Sequence, residues 1–120
     1  MTEIENSRKY DLEDRCLKFA KGVIDFVNIA PNTLANIEIV KQLIRSAGSV
    51  GANYIEANGA LGKKDFVMRA RICRKEARES KFWLNLITIH GEALESKRQA
   101  LIQESDELTK IFGAIIEKSK

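Results

Sequence analysis

The chain has 120 residues, 44% of them hydrophobic and 31% charged, with a formal net charge of +3. That suits one domain, residues 1–120, with a real core, and no apolar run approaches the roughly 18 residues of a membrane span. The acidic start Met1-Thr2-Glu3-Ile4-Glu5 excludes a secretory leader, so the expected location is cytoplasmic.

A single proline, Pro31, leaves room for long helices. From about 11 to 30, Leu12, Cys16, Phe19, Val23, Phe26 and Ala30 recur at alternating steps of four and three. That heptad stripe is typical of bundle packing. Cys16, and Cys73 further on, sit inside apolar patterns, which points to core thiols rather than a disulfide or metal pair. Pro31-Asn32-Thr33 breaks the pattern, and Asn32 or Thr33 can cap the next helix.

A second helix is predicted over about 34–58, with Ile37, Val40, Ile44, Ala47, Gly51 and Tyr54 on one face. It carries two interior glycines, Gly48 and Gly51, each costing about 1 kcal/mol relative to alanine. The small-residue half lets a neighbouring helix come close. Asn58-Gly59 reads as a left-handed stop.

The third predicted helix, about 64–89, keeps the same alternation through Phe66, Ala70, Cys73, Ala77, Ser80, Leu84 and Ile87, with His90-Gly91 as its end. Lys63 to Lys81 holds eight basic and three acidic residues, a surplus of five, so the rest of the chain nets −2. Arg71, Arg74, Lys75, Arg78 and Lys81 follow helical spacing and form a cationic ridge able to track phosphates, with Arg45 as a candidate neighbour. The alternative is a solvated face with internal ion pairs, such as Arg71 or Lys75 to Glu79. No aromatics interleave the exposed side, which argues against a single-strand stacking platform.

The fourth predicted helix, about 92–117, repeats Leu94, Leu101, Leu108 and Ile115 every seven residues, with Ile111 and Phe112 widening the face. The fold expected is therefore all-α, an antiparallel up-down-up-down four-helix bundle with short loops.

Catalytic and metal chemistry find little support. Glu76 and Glu79 lie three apart, and with Asn53 and Glu56 they could face one another in the bundle. A di-metal bundle site needs Glu-x-x-His on two helices, and the one histidine, His90, sits at a predicted helix end, where it reads as a cation at a C-terminus. Asn53, Glu56 and Glu79 are read instead as a polar network that fixes helix register. The loop Gly59-Ala60-Leu61-Gly62-Lys63-Lys64 has the wrong spacing for G-x-x-x-x-G-K-[ST] and comes after a helix rather than a strand. No catalytic residue, metal, cofactor or small-molecule substrate is expected.

The run Arg45-Ser46-Ala47-x-Ser49-Val50-x-Ala52-Asn53-x-x-Glu56 resembles the four-helix-bundle proteins encoded by intervening sequences in 23S ribosomal RNA genes, sometimes labelled ribosomal-protein-like. The resemblance continues through the Gly59–Gly62 loop, Lys64-Asp65-Phe66 and Glu79, and spans about 12–118. It implies a left-handed four-helix bundle, a ring-forming homo-oligomer, a pentamer, and kinship with accessory proteins of diversity-generating retroelements, basic bundles that bind a reverse transcriptase and nucleic acid. Tyr54-Ile55, Lys75-Glu76, Arg69, Arg71 and Arg74 depart from the usual pattern, which suggests a separate subgroup and strengthens the ridge. Two functions are expected on these grounds. One is a non-enzymatic RNA- or DNA-binding oligomer. The other is a scaffold that docks a partner protein, such as a reverse transcriptase, without touching nucleic acid; there Trp83, one position off the core stripe beside Phe82, is either an interface anchor or a widening of the core face.

Overall fold

The computed structural model describes the backbone of residues 3–120 and the side chains from Asp11 onward. The reading of Met1–Glu5 as no leader lies outside the described side chains. Four helices form: α1 (Glu3–Ile29), α2 (Leu34–Asn58), α3 (Lys63–Leu86) and α4 (Glu92–Lys118). There is no strand among the described residues. Each helix packs on its neighbours in sequence, and α1 closes against α4. Cross-helix pairs give antiparallel registers throughout: Glu13 with Asn58, Arg45 with Glu76 and Glu79, Asn53 with Arg69, Lys81 with Asp106, Arg15 with Glu104. The result is a rod 46 × 23 × 19 Å.

The core lies along the axis of the rod. From α1 come Cys16, Phe19, Val23 and Phe26, as the stripe predicts. From α3 come Ala70, Cys73, Ala77, Ser80 and Leu84, with Ile87 just beyond its end. Tyr54 of α2 meets Phe112 of α4 across the diagonal, edge to face at 5.6 Å, a geometry that the ring quadrupoles favour.

The faces of α2 and α4 are rotated from those predicted. Leu43, Ala47, Val50, Tyr54 and Ala57 fill the interior, whereas Ile37 and Ile44 are 39% and 41% exposed. The helix carries apolar residues on two sides, so periodicity alone offers two stripes. What decides between them is that α2 serves two neighbours. Gly51 faces α1 and Ser46 faces α3, and the core face is the arc between. On α4, only Leu108 of the four-member heptad is fully buried; Ile102, Ser105, Phe112 and Ile116 share the interior with it. Leu101 sits on the flank toward α1, with its methyl 3.1 Å from where a Cβ on Gly22 would lie.

The glycines of α2 have different roles. A Cβ on Gly51 would lie 3.2 Å from Cys16 Cβ, so bare backbone is needed there for α1 to approach. Gly48 is exposed and has nothing within 4 Å of such a Cβ, which corrects its assignment to close packing.

Helix ends also depart from expectation. Thr33 caps α2, its hydroxyl accepting the Asn36 N–H at 3.1 Å. Gly59 does not end α2 in a left-handed turn. Its φ is −95°, and its N–H reaches back to the Ile55 and Glu56 carbonyls. The α3 helix stops at Leu86 rather than 89 because distant side chains take over its polar groups. The Asn36 side chain, 1% exposed, accepts the Thr88 N–H at 3.0 Å and donates to the Thr88 carbonyl at 2.8 Å. Arg98 donates to the carbonyls of Leu84, Asn85 and Ile87. These partners replace the next intrahelical bonds. Gly91, with φ +90°, precedes α4 rather than ending α3. His90 is exposed and lies beyond the last turn of α3 rather than in it, which corrects its predicted place at the helix end.

Candidate nucleic-acid interface

The α3 helix has no interior glycine or proline and carries Asp65 in its first turn, where a carboxylate suits the helix dipole. It buries a stripe of small side chains, so its cations stay on the outer side. Arg71, Arg74, Lys75 and Arg78 fall at i, i+3, i+4 and i+7 and line one recess of about 380 Å³ together with Glu79. From Arg71 to Arg78 the helix advances about 10 Å, the rise of about three phosphates along one strand of a duplex.

These four are set apart from the other two predicted ridge residues by their partners. Among the described residues none of the four takes part in an ion pair, whereas Arg45 and Lys81 do. Lys81 reaches Asp106 on α4 at 2.9 Å. Arg45 crosses from α2 to Glu76 at 2.9 Å and to Glu79. Glu76 is 4% exposed, so Arg45 neutralises a carboxylate that would otherwise be buried without a counter-charge. Burial pushes the Glu79 carboxyl upward, but the Trp83 indole N–H, at 3.1 Å, and the Arg45 guanidinium outweigh it and hold the group below its ordinary range. The hydrogen bond from Arg45 to Glu79 in turn raises the guanidinium above its usual value. The Arg45 and Trp83 contacts are both made by Glu79 Oε1, and the predicted ion pair of Arg71 or Lys75 with Glu79 does not form.

The polar network of Asn53, Glu56 and Glu79 is not one network. Asn53 bonds to Ser49 and accepts from Arg69 at 3.0 Å. Glu79 belongs to the Arg45 cluster. Glu56 is exposed and joins neither. Sequence reasoning placed Glu76 among the candidates without a role; its position one turn before the buried Ser80 was the available signal. Next to this cluster the Ser80 and Ser46 hydroxyls meet at 2.9 Å between α3 and α2. Trp83 is half-buried, packed on the core and pinned by Glu79, while Phe82 is 58% exposed and stands edge-on to it at 5.0 Å.

Among the described residues no three His, Cys, Asp or Glu side chains come together as a metal site. Cys16 and Cys73 are fully buried free thiols, and burial pushes both up to about 12. Neither is a poised nucleophile. What the outer face of α3 offers is four clustered cations with donors for anionic oxygens.

Sequence and structure comparisons agree with this architecture. The family model described as "23S rRNA-intervening sequence protein" matches residues 8–114. A solved structure from Bacteroides thetaiotaomicron, described as a protein of unknown function from the S23 ribosomal protein family, superposes with a TM-score of 0.77 at 29% identity. The match covers 91% of this chain and 97% of that one. No curated protein matches the chain.

Proposed function

The chain belongs to the 23S rRNA-intervening sequence protein family, and from that premise we propose that it is a non-enzymatic, self-associating bundle that binds structured RNA or DNA through the outer face of α3. The observation that carries this reading is the separation of the ridge into two classes. Arg71, Arg74, Lys75 and Arg78 share one recess without ion-pair partners among the described residues, while Arg45 and Lys81 are neutralised from α2 and α4. Cations kept free cost self-repulsion, and a polyanion relieves it. Their role is phosphate neutralisation rather than base reading.

Self-association, as a pentamer by the family resemblance, is supported by a second surface. Ile37, Ile44 and Ile55 recur on one outer side of α2 and are 39%, 41% and 57% exposed. Leu17 and Ile24 of α1, 51% and 45% exposed, lie on the flank away from Arg15 and Gly22, which face α4. Assembly would bury these residues and repeat the ridge around a ring, multiplying a modest charge. Two free buried thiols accord with a reducing, cytoplasmic setting, and no helix of the described residues is long and apolar enough to cross a membrane.

The test is binding to a structured RNA and to duplex DNA across a salt series. Each phosphate contact contributes about 0.9 to the slope of log K against log salt on duplex DNA. Replacing Arg71, Arg74 and Arg78 with alanine is expected to flatten that slope by about 2–3. A salt-independent affinity, or no loss in the triple variant, refutes the interface. A strict monomer by light scattering at micromolar concentration refutes the assembly.

A further inference from the structure

The outer side of α3 does not end in character at Arg78. Arg71, Lys75, Arg78 and Phe82 follow one another at steps of four, three and four, so their side chains stand in line on the helix. Phe82 lies one turn, about 6 Å, beyond the last cation of the recess. It is 58% exposed. The expectation that no aromatic interleaves the exposed side is therefore corrected at this end of the ridge.

A single exposed apolar side chain needs no explanation by itself. Phe82 differs in being held. Its ring stands edge-on to Trp83, with centroids 5.0 Å apart and planes at 80°. Trp83 packs on the core, and its indole N–H donates to Glu79 Oε1 at 3.1 Å. The Phe82 ring thus needs little further ordering when something stacks on it. Leu86, one turn further on and 49% exposed, extends the apolar surface. Glu79, three residues before Phe82, is paired with Arg45, and Asp106 is paired with Lys81. Neither adds an uncompensated negative charge beside the ring.

A row of cations followed by a supported ring matches a strand that leaves a duplex. Phosphates of the paired part lie against Arg71, Arg74, Lys75 and Arg78, the cations of the recess. Inside a duplex both faces of a base are covered by its neighbours in the stack. A base offers a free face to Phe82 only where it is unpaired and unstacked, as in a loop, bulge or end.

We propose that Phe82 is a stacking platform for an unpaired nucleobase, and that the nucleic acid taken by the ridge carries a single-stranded end, bulge or loop beside a duplex. The proposal rests on the reading of the ridge as a phosphate-binding face and narrows it to a class of ligand. Stacking tolerates any base, so the preference is for an unpaired base and not for a sequence.

The experiment uses the full chain and three labelled RNA probes. The first is a blunt duplex of one helical turn. The second is the same duplex with a short single-stranded extension, and the third is the extended duplex with an abasic extension. The abasic probe keeps every phosphate and lacks only the bases. By anisotropy the extended probe is expected to bind at least about fivefold tighter than the abasic one. Phe82→Ala is expected to abolish that preference, to change blunt-duplex binding less than about twofold, and to leave the salt slope unaltered because no cation is removed. Phe82→Tyr is expected to keep the preference, and Phe82→Leu, which stays apolar without a ring, to lose it. Far-UV circular dichroism and light scattering check that each variant keeps its fold and assembly. Equal affinity for the extended and abasic probes, with binding still lost in the Arg71, Arg74 and Arg78 triple variant, overturns this proposal and leaves the ridge standing. No binding of any probe overturns both. A fall in blunt-duplex affinity equal to that for the extended probe in Phe82→Ala makes the ring a general contact and overturns the preference. Break-up of the assembly in Phe82→Ala, with probe preference unchanged, assigns the ring to a protein contact and also overturns it.

Discussion

Replacing Gly48 or Gly51 by alanine places the same methyl group one helical turn apart on α2, with opposite expected results. In a helix interior the exchange gains about 1 kcal/mol, partly by restricting the unfolded chain. At Gly48 nothing lies within 4 Å of the new Cβ, so the whole gain should appear. Unfolding entropy of about 2.1 cal/mol/K per residue makes 1 kcal/mol worth about 4 °C for a chain of this length. Gly48→Ala should therefore raise Tm by about 4 °C. At Gly51 the new Cβ sits 3.2 Å from Cys16 Cβ, the stiff base of a fully buried side chain, with the Cys16 carbonyl carbon at 3.9 Å behind it. α1 has to yield by a few tenths of an ångström, and such overpacking costs about 1–3 kcal/mol. Set against the same helical gain, Gly51→Ala should end between neutral and about 2 kcal/mol less stable than the parent. Urea and thermal unfolding followed by far-UV circular dichroism measure both variants, at two protein concentrations so that association is separated from folding. If Gly51→Ala raises Tm as much as Gly48→Ala, the close approach of α1 to α2 is refuted.

Three other outcomes rest on contacts between the helices. Arg45→Ala strands the buried Glu76 carboxylate; because the Arg45 side chain is 48% exposed, the full cost of breaking a buried pair is discounted to about 2 kcal/mol, read from urea midpoints, and an unchanged midpoint would refute the buttress. Because the folded Glu79 carboxyl lies below its unfolded value of about 4.3, its stabilising effect is complete above that pH and is lost as pH falls through the depressed folded value. Glu79→Gln should accordingly make stability less steep between neutral pH and acid, and a denaturation curve of unchanged pH dependence would count against the Arg45 and Trp83 contacts. Asn36→Ala removes three hydrogen bonds that join Pro31, Thr88 and α2, at a cost of about 2–3 kcal/mol, with faster amide exchange at Thr88 as the local signature.

The parts of this fold that could be read from the sequence are those fixed by near neighbours. The α1 stripe is legible because its core residues, Cys16, Phe19, Val23 and Phe26, form one run of fours and threes that carries both phenylalanines of the helix, against only Leu17 and Ile24 on the exposed flank. On α2 the isoleucines at 37, 44 and 55 compete with Leu43 and Val50, and only the positions of α1 and α3 decide which side turns inward. The end of α3 is illegible for a related reason, since the groups that stop it come from Asn36 and Arg98 rather than from its own last turn. Spacing alone revealed the ridge. Its division did not show, because Arg45 finds partners 31 and 34 residues away and Lys81 finds one 25 residues away.

The polar pairs between α2 and α3 also act as a ratchet. Ala70, Cys73 and Ala77 are small and similar in size, so apolar packing alone would let α3 slide along α2 with little penalty. A slip of one turn, about 5.4 Å, would bring Glu76 or Leu84 opposite Ser46 in place of Ser80, and would pull Arg45 and Asn53 away from their partners. The pairs thus select one alignment among several of nearly equal packing. A ligand pulling lengthwise on the arginines of α3 would meet that resistance first, and the load would pass into α2.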